Sequence, residues 1–121
     1  MTTDGMKVRT KKFSLMVINL AEKLPNFGSS EIIASQIIKS GTSVGADYRA
    51  VCRAKSDEEF ASKMELVLEK ADETLYWIEI IAEKKWIGIS ELETIWKEGN
   101  ELTAILVNSL KAVNNRISVM S

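Results

Sequence analysis

Residues 56–82 read SDEEFASKMELVLEKADETLYWIEIIA, and this stretch decides the fold. It opens on Ser56-Asp57-Glu58-Glu59, a capping box. In such a box the serine and the glutamate three residues on each satisfy a backbone donor that a helix start leaves free. Phe60, Met64, Val67, Ala71, Leu75, Ile78 and Ala82 then recur three or four residues apart, the spacing of one helical face. Lys84 and Lys85 suit the negative end of the helix, and Gly88 is the expected stop.

The same reading extends outward on both sides. Downstream, Ser90-Glu91-Leu92-Glu93 forms a second box, followed by a seam of Leu92, Ile95, Gly99, Leu102, Leu106, Val113 and Ile117. Upstream, Ser29 or Ser30 is the expected N-cap of a helix whose seam is Ile33, Ile37, Gly41, Val44, Tyr48 and Val51. Its middle, Ser40 to Ala46, is made of poor helix formers, yet the seam keeps its phase through them, which predicts a continuous helix. Phe13, Val17, Leu20 and Leu24 define a first helix over Val8–Leu24, closed by Pro25 and the turn Asn26-Phe27-Gly28. The expected organisation is a flexible N-terminus over 1–7, one domain over 8–117, and a flexible tail over 118–121. Four amphipathic helices with short connections predict an all-α, antiparallel up-down-up-down four-helix bundle.

Composition narrows the chemistry. A chain of 121 residues, 45% hydrophobic and 27% charged, is sized and composed for one folded core. Its net charge of −1 and pI near 5.6 exclude a global positive field, so any nucleic-acid binding must come from a local patch. No apolar run reaches the roughly 20 residues that cross a bilayer, so no membrane association is expected. Met1 to Lys12 lacks the apolar stretch of a secretory signal. Cys52 is the single cysteine, which fits a reducing cytoplasm. The absence of histidine removes Ser-His-Asp chemistry and the usual zinc and di-iron sites. No catalytic residue, metal site or cofactor is expected.

Several features bear on chemistry. Gly41 and Gly45, one turn apart, lack the Lys-Ser/Thr of a phosphate loop and read as close helix packing. Glu65, Glu69, Asp72 and Glu79 partly resemble the carboxylates of all-helical magnesium-dependent nucleotide pyrophosphohydrolases, the rival reading. The Glu-Glu-x-x-Glu partner motif is incomplete, because Glu58-Glu59 is followed by Phe60, Ala61 and Ser62. Such a line is otherwise a solvated flank. Cys52 reads as a buried structural thiol. Arg49 and Arg53 lie one turn apart with Lys55 beyond, and Lys7, Arg9, Lys11 and Lys12 crowd the chain's beginning. An antiparallel hairpin brings these ends together, so Arg49, Arg53, Lys55, Lys11 and Lys12 form a candidate contact to a phosphate backbone of RNA or DNA. The competing reading is a solvated surface with favourable charge at a helix C-terminus. Finally, Leu66, Trp77 and Ile80, with Ile81 at their margin, fall opposite the core face of the third helix. A tryptophan among large aliphatics on an outward face marks an interface, here with another subunit.

Ser43-Val44-Gly45-Ala46-Asp47-Tyr48-Arg49, Cys52-Arg53-Ala54, Ser56, Glu59-Phe60 and Ala71 to Glu79 together resemble the four-helix bundle family encoded within intervening sequences of bacterial 23S ribosomal RNA genes. The resemblance covers nearly the whole chain. It departs from the commoner family pattern in having Gly45 for a proline, Asp47 for an asparagine and Ala50 for a glutamate. The resemblance implies an antiparallel bundle that assembles as a homopentamer, with no enzymatic activity. Relatives include the accessory protein of diversity-generating retroelements, a basic pentameric ring that associates with nucleic acid and a reverse transcriptase. The implied role is a non-enzymatic, self-associating scaffold for RNA or for a protein partner.

Overall fold

A computed structural model describes residues 2–120; Met1 and Ser121, the outermost residues of the expected flexible ends, lie outside it. Among the described residues there are four helices and no strand: α1 (Thr3–Glu22), α2 (Gly28–Val51), α3 (Asp57–Lys84) and α4 (Ile89–Met120). Each helix packs on the next in chain order, and α4 closes the ring more loosely against α1. Pairs across the seams run in opposite directions. Ser14 and Thr10 of α1 meet Gly41 and Gly45 of α2, while Leu75 and Asp57 of α3 meet Gly99 and Arg116 of α4. The bundle is therefore antiparallel, as its short loops require.

The helix ends depart from expectation in instructive ways. α1 starts at Thr3 rather than Val8: the Thr2 hydroxyl accepts from the Gly5 N–H at 3.0 Å, and Met6 is buried in the core. At the other end α4 runs to Met120, past the expected end at Ile117. Neither Ser29 nor Ser30 caps α2. Gly28, at a φ of 41°, begins the helix, and the Ser30 hydroxyl turns back to donate to the carbonyls of Pro25 and Phe27. The box at α3 is half as expected. Ser56 Oγ accepts from Glu59 N–H at 3.1 Å, but the Glu59 carboxylate reaches one residue further back, to Lys55 N–H. α3 stops at Lys84, with Lys85 itself in the left-handed region, and Gly88 serves the next helix as its carbonyl accepts from Leu92 N–H. Ser90 accordingly sits inside α4 and does not cap it. Ser40 to Ala46 is continuous helix, as the phase of the seam predicts.

Among the described residues, buried side chains from all four helices, with Leu24 from the loop after α1, form one core, Phe13, Ile37, Met64, Ile78, Leu102 and Leu106 among them. Two glycines let helices approach. A Cβ on Gly41 would meet Val17, and one on Gly99 would lie 2.8 Å from Leu75 Cδ2 and 3.3 Å from the Phe13 ring. Buried hydroxyls are paired across helices. Ser14 Oγ donates to the Gly41 carbonyl at 2.9 Å, and Thr74 and Ser40 share a bond at 2.8 Å. Because an unpaired buried hydroxyl costs about 1–3 kcal/mol, these contacts penalise any sliding of α1, α2 or α3 out of register.

Candidate nucleic-acid interface

The basic residues near the α1 start and the α2 end converge on one cleft. Lys11 and Ser14 from α1, with Gly45, Ala46, Ala50, Arg49 and Arg53 from α2 and its following turn, line a groove of about 430 Å³. Lys7 extends it beside the two arginines. The groove exists because its floor is small. Gly45 lies so close to α1 that a Cβ there would be 3.0 Å from Ser14 Oγ, while alanines at 46 and 50 leave room above. No carboxylate lines either part, and Lys7, Lys11, Arg49 and Arg53 take part in none of the ion pairs among the described residues. Their charge is therefore available to an external anion. The α2 C-terminus alongside contributes partial negative charge, which steadies the arginines without neutralising them.

Not every predicted residue joins. Lys12 is exposed on α1 but lines no part of the cleft, and Lys55 lies past it, its backbone N–H held by Glu59. Arg9 is withdrawn altogether. Its guanidinium donates twice to Glu98 of α4, at 2.7 and 2.9 Å, and lies 3.0 Å from Glu101. The bonds to Glu98 push the guanidinium's pKa above its already high ordinary value, outweighing the opposing pull of partial burial. Lys7 enters in its place; it precedes the expected helix start, but one turn before Lys11 it shares that residue's face.

The second candidate surface, on α3, is also redrawn. Leu66 is 52% exposed, and Trp77 and Ile80 are half-buried. Ile81 is fully buried in the core, so it cannot meet a second subunit: α3 packs between α2 and α4, and its buried face is wider than one seam. Tyr76, absent from the sequence-based set, is 53% exposed with its ring edge-on to Trp77 at 5.1 Å. The Trp77 indole N–H is enclosed and finds no acceptor.

Elsewhere the carboxylate line does not form a site. Glu65, Glu69, Asp72 and Glu79 are all exposed along α3, and among the described residues no three acidic or thiol side chains gather as a metal-binding group. The arrangement does not fit the magnesium centre that the rival reading needs. Cys52 is half-buried rather than enclosed, next to the Tyr48 hydroxyl. Burial, then the Cys52 thiol, pushes the Tyr48 phenol up to about 12. Among the described residues no helix is long and apolar enough to cross a membrane.

Comparison with known proteins agrees with this architecture. Residues 6–108 match the family model described as 23S rRNA-intervening sequence protein. The chain is similar to a crystal structure of a protein of unknown function from the S23 ribosomal protein family of Bacteroides thetaiotaomicron, at 30% identity and a TM-score of 0.80. That alignment covers 88% of this chain and 98% of the other. No curated protein matches the chain.

Proposed function

The chain belongs to the 23S rRNA-intervening sequence protein family, and from that premise we propose that it is a non-enzymatic, self-associating cytoplasmic bundle that binds the phosphate backbone of RNA. The observation that carries this reading is the cleft in which Lys7, Lys11, Arg49 and Arg53 stand without a carboxylate among them. Unpaired cations in a groove neutralise phosphates and release their counterions, which supplies affinity without sequence information. No aromatic side chain lines the groove, so it lacks the stacking platform by which proteins hold unpaired bases. The reading is therefore of a backbone contact, indifferent to sequence. Assembly through the face of Leu66, Tyr76, Trp77 and Ile80, as a homopentamer by the family resemblance, would repeat the cleft and multiply weak contacts into avidity.

The test is fluorescence anisotropy of a labelled RNA duplex titrated with the protein over a range of salt concentrations. The expected result is a linear fall of log affinity with log salt, with weaker binding and a shallower slope in Arg49→Ala/Arg53→Ala. Equal affinity for the double variant sinks the RNA reading. The self-association reading is tested separately, since Trp77→Ala should reduce the mass seen by light scattering, and an unchanged mass removes that face.

A further inference from the structure

At the opposite end of the molecule from the basic cleft, α3 and α4 leave an apolar groove of about 230 Å³ floored by Ile78, Ala82, Leu92 and Trp96, with Ile89 at its mouth, 72% exposed. Its only polar lining is Glu79 and Glu93, neither of which is in an ion pair among the described residues. The groove is smaller than the ~300–1,000 Å³ of a small-molecule pocket and is sized for a few aliphatic side chains. The other end of α4 offers such side chains. Arg116 pairs with Asp57, the first residue of α3, so α4 outruns the helix it packs on. Beyond that pair stand Val119 and Met120, 85% and 86% exposed, with Ile117 half-buried behind them.

The groove lining carries two carboxylates, with Lys85 on the far side of the Ile89 and Leu92 that line it, and the tail carries the opposite charge in Lys111, Arg116 being held by Asp57. Between residues 102 and 120 there is no carboxylate, and the cations are Lys111 and Arg116. At about 100° per residue, Val119 falls between those two cations around the helix. A helix of 32 residues is about 48 Å long, so the tail cannot reach the groove of its own chain. We infer that the C-terminal end of α4, Ile117 to Met120, docks into the Ile89–Trp96 groove of a second copy, with Lys111 facing Glu79 and Glu93. Such a contact joins two different patches, so it is head-to-tail and propagates into a ring or a filament. The tail lies beyond residues 6–108, which match the family model, whereas the groove lies within them. It is separate from the Trp77 face proposed above.

The test uses two variants of the full chain, Val119→Glu/Met120→Glu in the tail and Ile89→Glu in the groove. All three positions are exposed, so folding should survive, as circular dichroism will verify. Sedimentation of the wild type should give a mass above 13.5 kDa, and each variant alone a smaller one. Mixed in equal amounts, the variants should form a heavier species again, because one keeps an intact groove and the other an intact tail. Variants that keep the wild-type mass, a mixture no heavier than its parts, or a monomeric wild type each overturn the contact. Trp77→Ala in parallel separates the two interfaces. If it alone lowers the mass, the tail contact fails and the Trp77 face stands; if only the tail and groove variants do, the reverse holds.

Discussion

Val17 occupies the space that a side chain at Gly41 would need: a Cβ there would lie 2.6 Å from Val17 Cγ1. Two effects oppose each other in Gly41→Ala. Alanine is worth roughly 0.5–1 kcal/mol over glycine in a helix interior, while overpacking a tight core costs about 1–3 kcal/mol. Val17 is fully buried and stiff at its branched carbon, so it cannot swing away. Overpacking should win, and chemical denaturation should show a net loss of about 1–2 kcal/mol. Gly88→Ala is the control, because nothing lies within 4 Å of its added Cβ, and its stability should hold or rise.

Replacing Arg9 by lysine should behave as a loss rather than a conservative change. The guanidinium makes two parallel bonds to Glu98 and reaches Glu101, a fork that an ammonium cannot reproduce. The pair is only about one-fifth exposed on each side, which places it above an ordinary surface ion pair. Arg9→Lys should cost about 1 kcal/mol, and added salt should shrink the difference between variant and wild type. A melting temperature identical to wild type at low salt would show that the fork contributes nothing.

Tyr48 makes stability sensitive to alkali. Its folded phenol ionises near 12 rather than 10, because burial first, and then Cys52, disfavour the charged form. The folded state therefore holds its proton more tightly than the unfolded chain. The stabilisation is fully present below pH 10 and is lost as pH rises through 12. Lysines titrate in the same window, so the measurement is the difference between wild type and Tyr48→Phe. That difference should shift in favour of the phenylalanine variant between pH 10 and 12 and be flat below.

Lys85 holds a φ of 59° at the end of α3, where a side chain is strained and glycine is not. Lys85→Gly removes that strain but gives the unfolded chain more freedom. The balance should favour the variant by about 0.5 kcal/mol. A lower melting temperature would mean that the lysine makes a contact worth more than the strain.

In the cleft, single substitutions should be readable as counterions. Each phosphate contact contributes about −0.9 to the slope of log affinity against log salt on a duplex. Arg49→Ala and Arg53→Ala should each flatten the slope by about 1, and Lys7→Ala likewise. Lys12→Ala, outside the groove, should leave it unchanged. If Lys12 matters as much as Arg49, binding is a diffuse attraction and the groove is not its seat.

The bundle itself was legible because its signals are local. The phase of the apolar seams carried α2 through Ser40 to Ala46, where propensity alone argues for a break. The ends were less legible, since a serine can cap a helix or bond backwards, as Ser30 does, and only the packed loop decides between them. The two candidate surfaces needed redrawing at their margins for one shared reason: a helical wheel sees one helix at a time. Ile81 lies at the margin of α3's outer stripe on the wheel, yet it is in the core because α3 has two neighbours. Arg9 looks like part of a basic cluster until α4 brings Glu98 to it. Lys7 joins the cleft because α1 starts at Thr3, five residues before the Val8 that the apolar seam suggests.

The looseness between α1 and α4 gives the molecule a grain. Three seams are closely packed, while the fourth, where the Phe13 ring faces Gly99, is sparser and carries the ion pairs Arg9 to Glu98 and Lys23 to Glu91, with a furrow of about 250 Å³ alongside the second. Ion pairs loosen in salt, whereas packed apolar seams do not. Raised salt should thus loosen the α1–α4 edge before the other three. The basic cleft lies on the closely packed α1–α2 seam, away from that edge, so salt that strips its ligand leaves its walls in place.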